Sequence, residues 1–435
     1  MSLSARTAAI LIAAGVITTV VQAHEDQVPA NPITTISVGR DQTAATKVTD
    51  NIYQAIGFGN TFMVTTPAGN VIIDTSIAFN TALHTKLLRA VSNAPVKYII
   101  LTHAHGDHTG GVEAWRKFGG PDTQIIAQRN HVEFQHYQTR LKGFYDLRNA
   151  AQFGRPMSAP GGESPGNYAA QIQPTILFDD RYAFELGGVN FEVLSTPGET
   201  YDHATVWMPQ ARAAFIGDNY YDSFPNIYTL RGTQPRWALD YVASLNKVLA
   251  LQPEIVLPSH GMPLRGGAEI VTRLTRYRDA IQYVHDETVK GMNAGKDVWT
   301  LMREIKLPPA LDIGESYGKL SWSVRGVYEG YVGWFDLNPA TMYETPARAV
   351  YPDLVKLAGG ADAVATLALE RAQSGASVEA LHLSDVALAA HVDHRTALQA
   401  KLTALEALRS ECRNSNERGW LDYSIASVRS KLAAR

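Results

Sequence analysis

The rhythm of apolar and polar positions changes twice along this chain and divides it into three textures. Near the N-terminus, Arg6 precedes an uncharged, mostly apolar run from Thr7 to Gln22 that ends at Val21-Gln22-Ala23, just ahead of His24-Glu25-Asp26. A basic lead, an apolar run and a small-residue exit predict a secretory signal, residues 1–23, cleaved after Ala23. The run is short for an anchor, since spanning a bilayer takes about 20 apolar residues. Residues 24–46 are polar, with Pro29 and Pro32, and predict an extended lead-in.

The second texture mixes strand-length apolar runs with turn signals and helical spacings. Residues 60–66 and 70–74 flank Pro67-Ala68-Gly69 and predict a hairpin. Leu83, Leu87, Leu88 and Val91 recur at helical spacing, and Val96 to Leu101 reads as a buried strand. A helix over 112–118 and a strand over 124–127 follow. Residues 128–167 predict an irregular, partly helical excursion, broken by Pro156, Pro160, Gly161, Gly162, Pro165 and Gly166 and long enough to wall a site. Strand signals return at 182–186 and 189–194 around Gly187-Gly188, at 205–208 and 213–218 around Pro209, and at 254–260.

From Ala268 the strand signals stop, which is the third texture. Helices are predicted over 270–292, 298–305, 351–357, 361–374, 378–390, 395–411 and 415–432. Strand–helix alternation predicts an α/β domain over 47–267, and the helical run an all-α domain over 268–435.

Composition changes little in this picture. The chain has 435 residues, 45% of them hydrophobic, and a formal net charge of −3, which leaves no basic footprint for nucleic acid. Cys412 is its one cysteine, so it holds neither an intrachain disulfide nor a thiolate metal cluster. Any bound metal must therefore be held by His, Asp and Glu.

Those residues are concentrated in Leu101-Thr-His-Ala-His-Gly-Asp-His-Thr-Gly-Gly111, at the C-terminal end of a predicted strand. His103 and His105 are two apart and face one way while the chain stays extended, whereas Asp107 and His108 follow Gly106, where the backbone turns. That geometry suits two neighbouring metals. Further strands run into Glu199, Asp218 and His260. His131 and His136 lack ligand-like spacing and are read as non-ligands. Asp74 is read from the chain alone as a cap for the following helix.

His-Xaa-His-Xaa-Asp-His after a strand resembles the metallo-β-lactamase superfamily of binuclear hydrolases, which implies an αββα sandwich, here followed by the all-α domain. The resemblance implies two divalent cations, expected to be Zn2+, held by His103, His105, Asp107, His108, Glu199, Asp218 and His260, with Asp218 bridging, and it implies Asp74 as a support beneath the metal loop. Thr196-Pro-Gly-Glu199 stands where the superfamily has Thr-Pro-Gly-His; Glu199 is therefore the candidate third ligand of the first metal, with His203 its rival. Asn226-Ile-Tyr-Thr-Leu-Arg-Gly232, Tyr317-Gly-Lys-Leu-Ser-Trp322 and Gly333-Trp-Phe-Asp-Leu-Asn-Pro339 are similar to the alkylsulfatase branch, which implies that Asn226, Arg231 and Tyr317 hold a sulfate group. A guanidinium and an amide suit that anion.

Asp107 and Asp222 are the candidate catalytic carboxylates, Asp222 standing where secondary alkylsulfatases place a proton-donating histidine. Phe153 stands where a tyrosine is more common. The branch usually continues into a sterol-carrier-like domain, for which this sequence has no counterpart. The expectation is a periplasmic or secreted alkyl sulfate ester hydrolase. It would be a homodimer through its helical domain, without a membrane span once the signal is cleaved, and would use hydroxide from a metal-acidified water. Two rivals are a hydrolase of the same fold acting on a β-lactam, lactone or other carbonyl ester, and a metal-dependent binding protein without catalysis.

Overall fold

The computed structural model describes residues 37–153, 172–234 and 236–434. The expected signal, most of the lead-in and residues 154–167 of the excursion lie outside them.

Strands β1 (Thr46–Lys47), β2 (Ile52–Ala55), β3 (Thr61–Thr66), β4 (Gly69–Ile73), β5 (Val96–Ile100), β6 (Gln124–Gln128) and β7 (Ile176–Phe178) pair in sequence order into one sheet. β3 and β4 form the expected hairpin, Val64 opposite Val71. From β4 onward the strands run parallel, because the helices α1 (Thr81–Arg89), α2 (Gly106–Thr109) and α3 (Val112–Arg116) carry the chain back between them. The described part of the excursion holds two helices, α4 (His131–Arg140) and α5 (Lys142–Phe153), in keeping with a partly helical segment.

A second sheet comprises β8 (Arg181–Leu186), β9 (Val189–Ser195), β10 (Ala204–Met208), β11 (Ala213–Gly217), β12 (Ile255–Pro258) and β13 (Leu264–Arg265), with α6 (Ala238–Ala250) crossing from β11 to β12. The period of two in a strand sends alternate residues to opposite faces, and both sheets use it fully. Phe62, Val64, Val71, Ile73 and Ile100 of the first sheet meet Phe191, Val193, Val206 and Phe215 of the second. Met63, Ile72 and Ile99 point the other way, onto Leu87, Leu88 and Trp115 of α1 and α3. The result is the expected αββα sandwich.

Residue 267 begins α7 (Gly267–Asn293), followed by α8 (Val298–Glu304) and α9 (Leu320–Val332). These helices do not stand apart from the sandwich: Leu274, Ile281, Val284, Leu301 and Val324 share a core with Trp207, Ile216 and Val256 of the second sheet. The purely helical packing begins later, with α10 (Tyr351–Leu357), α11 (Ala361–Gln373), α12 (Ser377–Ala390), α13 (Arg395–Glu411) and α14 (Ser415–Ala433), whose small and aliphatic faces bury one another. No helix among the described residues is long and apolar enough to cross a membrane.

One buried group outside the metal loop makes stability depend on pH. His84 of α1 is fully buried; its Nε2 donates to the carbonyl of Ile56 at 3.1 Å, and its Nδ1 lies 2.9 Å from the hydroxyl of Thr61. Burial lowers its pKa to about 4, against a contrary pull from the Ile56 carbonyl. The unfolded imidazole takes up its proton near pH 6.5, so this contribution is fully present above that pH and is lost as pH falls toward 4. The loss amounts to about 3 kcal/mol. His84→Gln should flatten that part of the curve of unfolding free energy against pH, and denaturant titrations from pH 7 to pH 4 on both proteins check it.

Candidate metal centre

The metal-loop side chains are held in place before any ion is considered. Asp74, at the end of β4, sits in the left-handed region at φ 52, a conformation that non-glycine residues rarely adopt. The strained backbone sets its carboxylate beneath the loop. Oδ1 accepts from the Thr102 N–H at 2.8 Å, and Oδ2 accepts from the Thr102 hydroxyl at 2.8 Å, the Ser259 hydroxyl at 2.7 Å and His108 Nδ1 at 2.9 Å. Asp74 is therefore a support beneath the loop and not a helix cap; α1 has no side-chain cap.

That support determines which ring nitrogens are free. His108 Nδ1 donates to Asp74, which directs its Nε2 into the centre, where that buried atom has no hydrogen-bond partner among the described residues. The Thr102 hydroxyl gives its proton to Asp74, so it accepts from His103 Nδ1, 3.1 Å away, and the lone pair falls on His103 Nε2, which faces His105 Nδ1 at 2.9 Å. Hydrogen-bonding the remote nitrogen is how proteins orient imidazole ligands.

Seven residues on four loops then converge. Donor atoms of Asp107, His108, Asp218 and His260 lie within 4.8 Å of one another, and so do those of His103, His105 and Asp218. Asp218 Oδ2 stands 3.3 Å from His260 Nε2, 3.4 Å from His108 Nε2 and 3.8 Å from His103 Nε2, and so belongs to both groups. Asp107 Oδ2 lies 3.4 Å from both His108 Nε2 and His260 Nε2. Gly217 makes the approach of Asp218 possible: it has φ +54, and a Cβ there would lie 2.2 Å from His203 Nε2.

Glu199 sits beside the first group, its Oε1 3.9 Å from His105 Nδ1. Its other oxygen is occupied: Oε2 pairs with Arg236 Nη1 at 2.5 Å and accepts from the Tyr241 hydroxyl at 2.8 Å. His203, the rival ligand, is used elsewhere. Its Nε2 accepts from the Asp218 N–H at 3.1 Å, and its Nδ1 lies 3.2 Å from the Thr196 hydroxyl. His131 and His136 stay outside both groups; His131 Nδ1 lies 3.0 Å from Asp202, and His136 is exposed beside Glu133.

The electrostatics match the geometry. Burial lowers His103 and His105 well below the usual imidazole range. Burial would lower His108 and His260 too, but the carboxylates of Asp218 and Asp107 outweigh it, raising His108 well above the ordinary value and His260 to about 9. Burial likewise opposes ionisation of Asp107 and Asp218, and their neighbouring imidazoles overcome it, holding both well below the carboxylate range. Imidazole and carboxylate oxygen without thiolate suit a borderline divalent cation. The unpartnered His108 Nε2 and Asp218 Oδ1 are orphaned atoms that such ions would satisfy.

Around the cluster, a cavity is lined by Phe58, His105, Asp107, Phe153, Arg231 and Tyr317, among others. Tyr317 stacks edge-on against Tyr221 at 5.2 Å, and the Tyr221 hydroxyl donates to Asp218 at 3.0 Å. Asn226 is buried at the start of the same segment as Arg231, and its carbonyl accepts from Arg236 Nη1 at 2.9 Å. Asp222 is a correction: its side chain is 81% exposed and faces Arg273 at 3.7 Å, on the outside of the loop. The strand end feeding Asp218 turns at Asp218–Tyr221, which puts Tyr221 inward and its neighbour outward. Asp222 is not among the side chains that line the cavity at the cluster.

Arg236, Tyr241 and Tyr221 contact Glu199 and Asp218, and the motifs do not mark them. A lone arginine and two tyrosines ahead of and within an amphipathic helix carry no spacing signal. Only the long-range approach of β9, β11 and α6 buries them behind the ligands.

Fold and ligand set together define a hydrolase of the metallo-β-lactamase class, and the model of the metallo-beta-lactamase superfamily matches residues 55–260. The model of alkyl sulfatase dimerisation matches residues 299–430. A linear primary-alkylsulfatase of a Pseudomonas species is 31% identical over 85% of this chain and 74% of its own length. The alkyl/aryl-sulfatase BDS1 of Saccharomyces cerevisiae is 30% identical over 76% of this chain, which spans 55% of that relative. A crystallised double mutant of the sec-alkyl sulfatase PisA1 is 25% identical, with a TM-score of 0.79 over 89% of this chain and 65% of its own. The chain belongs to the alkylsulfatase family of that superfamily.

Proposed function

We propose that this protein hydrolyses alkyl sulfate esters with two divalent cations, zinc first among them. His103, His105 and Glu199 would hold one, Asp107, His108 and His260 the other, and Asp218 would stand between. When bound, such cations acidify a water and polarise an ester oxygen. The chain's own part is positional. Tyr221 keeps Asp218 in place, Arg236 and Tyr241 hold one oxygen of Glu199 and leave the other for ligation, and Asn226, Arg231 and Tyr317 bind the sulfate group.

A single observation favours sulfate over a carbonyl substrate. The Arg231 guanidinium lines the cavity with His105 and Asp107, and its buried Nε has no partner among the described residues. Its carbonyl accepts from Arg148 Nε at 2.6 Å, which holds the backbone and so aims the side chain. A half-buried guanidinium with an unpartnered Nε beside the metal ligands suits an anion, and its planar fork matches sulfate oxygens. Purified protein of known metal content should release sulfate from dodecyl sulfate and leave a panel of lactams and lactones intact. Turnover of the lactams alone would overturn the reading.

The same reading makes the protein a periplasmic or secreted homodimer. Residues 331–354 are almost wholly exposed, yet they carry Trp334 at 73% and Leu337 at 83%, and Leu357 just beyond is 85% exposed. So much apolar surface on one stretch marks a contact with a partner, and a second copy agrees with the dimerisation model that covers it. Leu337→Glu with Leu357→Glu should convert a dimer to a monomer in sedimentation velocity. A double variant that stays dimeric would move the interface elsewhere.

A further inference from the structure

The two segments expected to hold sulfate are themselves held by the far end of the chain. Asn414 caps α14: its Oδ1 accepts from the N–H groups of Asn416 and Glu417, both at 3.0 Å. The amide nitrogen of the same side chain donates to the carbonyls of Glu315 at 2.7 Å, Tyr317 at 2.9 Å and Gly318 at 3.2 Å. Asn416 adds a donor to the Tyr317 carbonyl at 2.8 Å, and its Oδ1 accepts from Gln152 of α5, also at 2.8 Å. One turn on, Trp420 Nε1 donates to the other end of the Gln152 amide at 3.3 Å. Gly419 permits this closeness, because a Cβ there would lie 1.8 Å from the Gln152 carbonyl oxygen.

From α5 the connection continues to the arginine. Arg148 lies over the Trp420 ring, 5.4 Å from its centroid, and donates to the carbonyls of Leu230 and Arg231. One helix start thus grips Tyr317 directly and Arg231 through a single intervening helix. Simple packing does not require this. The apolar residues of α14, Ile425 and Val428, already pack on Leu398, Leu402 and Leu405 of α13. The first two turns instead commit two almost fully buried asparagines to α5 and the Tyr317 loop, where an unmade hydrogen bond is costly.

We propose that the first two turns of α14 are a positioning element for the substrate pocket, setting Tyr317 and Arg231 at the spacing a sulfate group needs. The inference rests on the reading that those two residues hold sulfate. The test uses the full-length, metal-loaded protein. Asn416→Asp keeps the size and the acceptor but places an oxygen against the Tyr317 carbonyl; Gly419→Ala pushes α14 from α5; Trp420→Phe keeps an aromatic ring beside Arg148 but loses the five-membered ring and its N–H.

Asn416→Asp and Gly419→Ala should raise KM for dodecyl sulfate and the inhibition constant of inorganic sulfate together, by about tenfold each, the worth of one lost interaction. Metal content should not change and kcat should fall less than threefold. Trp420→Phe should show a smaller shift in the same two constants. A purely structural role would lower the folded, active fraction and leave both constants at their original values, and that result would overturn the proposal. If Gly419→Ala fails to fold, the other two variants decide. Arg231→Ala in parallel separates the readings: unchanged turnover of dodecyl sulfate there removes Arg231 from the sulfate site and sinks the reading this proposal rests on, whereas its loss with helix variants that behave as wild type sinks only the positioning role.

Discussion

Asp218→Asn is expected to abolish sulfate release, with a loss of at least about 10^3-fold, and to lower the metal content of the dialysed protein. Asp218 alone belongs to both groups of converging donors, with its Oδ2 within 3.8 Å of three imidazole nitrogens. An amide keeps the shape and still accepts from Tyr221, but it supplies neither the charge nor the second ligating oxygen. The buried imidazoles of His103, His108 and His260 would then share a cation pair with one carboxylate fewer among them. Elemental analysis of variant and wild type, beside turnover of dodecyl sulfate, checks the result. Full metal content in an inactive variant would show that Asp218 serves chemistry alone, and full activity would remove it from the centre.

Arg231→Ala is expected to lower kcat/KM for dodecyl sulfate by about 10^2 to 10^3-fold at unchanged metal content, the scale of losing one preorganised donor aimed at developing charge. The side chain is anchored at its own carbonyl by Arg148 and lines the cavity with Tyr317, so truncation leaves a hole without moving the ligands. Arg231→Lys should recover only part of the loss, since an ammonium supplies charge without the planar fork. Steady-state kinetics on the three proteins, each with measured metal content, test this. Wild-type turnover in a loaded Arg231→Ala protein would mean that the substrate anion is held elsewhere.

Much of the site was legible because its pieces are local. His103, His105, Asp107 and His108 are within six positions, so strand direction and one glycine were enough to place them in two neighbouring groups of donors. Glu199, Asp218 and His260 each end an apolar run, a pattern that survives in sequence because β9, β11 and β12 all point their C-terminal ends to one rim. The helices of the last third were legible for a similar reason: each buries a periodic face against its neighbours, and the bounds of α10 and α13 agree with the spacing to the residue. Asp222 misled because a position matched by counting along a loop says nothing about which way the side chain faces. There the turn after β11 sends Tyr221 inward and Asp222 to Arg273.

What the amino-acid order determined by itself is every property carried by near neighbours: strand and helix periods and the ligand-rich loop. What only the folded chain decided is which charges are buried together. Arg236 meets Glu199 at 2.5 Å across 37 positions, Asp74 holds Ser259 at 2.7 Å across 185, and Asn416 holds Gln152 at 2.8 Å across 264. Such pairs leave no period in the sequence, because a hydrogen bond acts over about 3 Å of space and is indifferent to the length of chain between its partners.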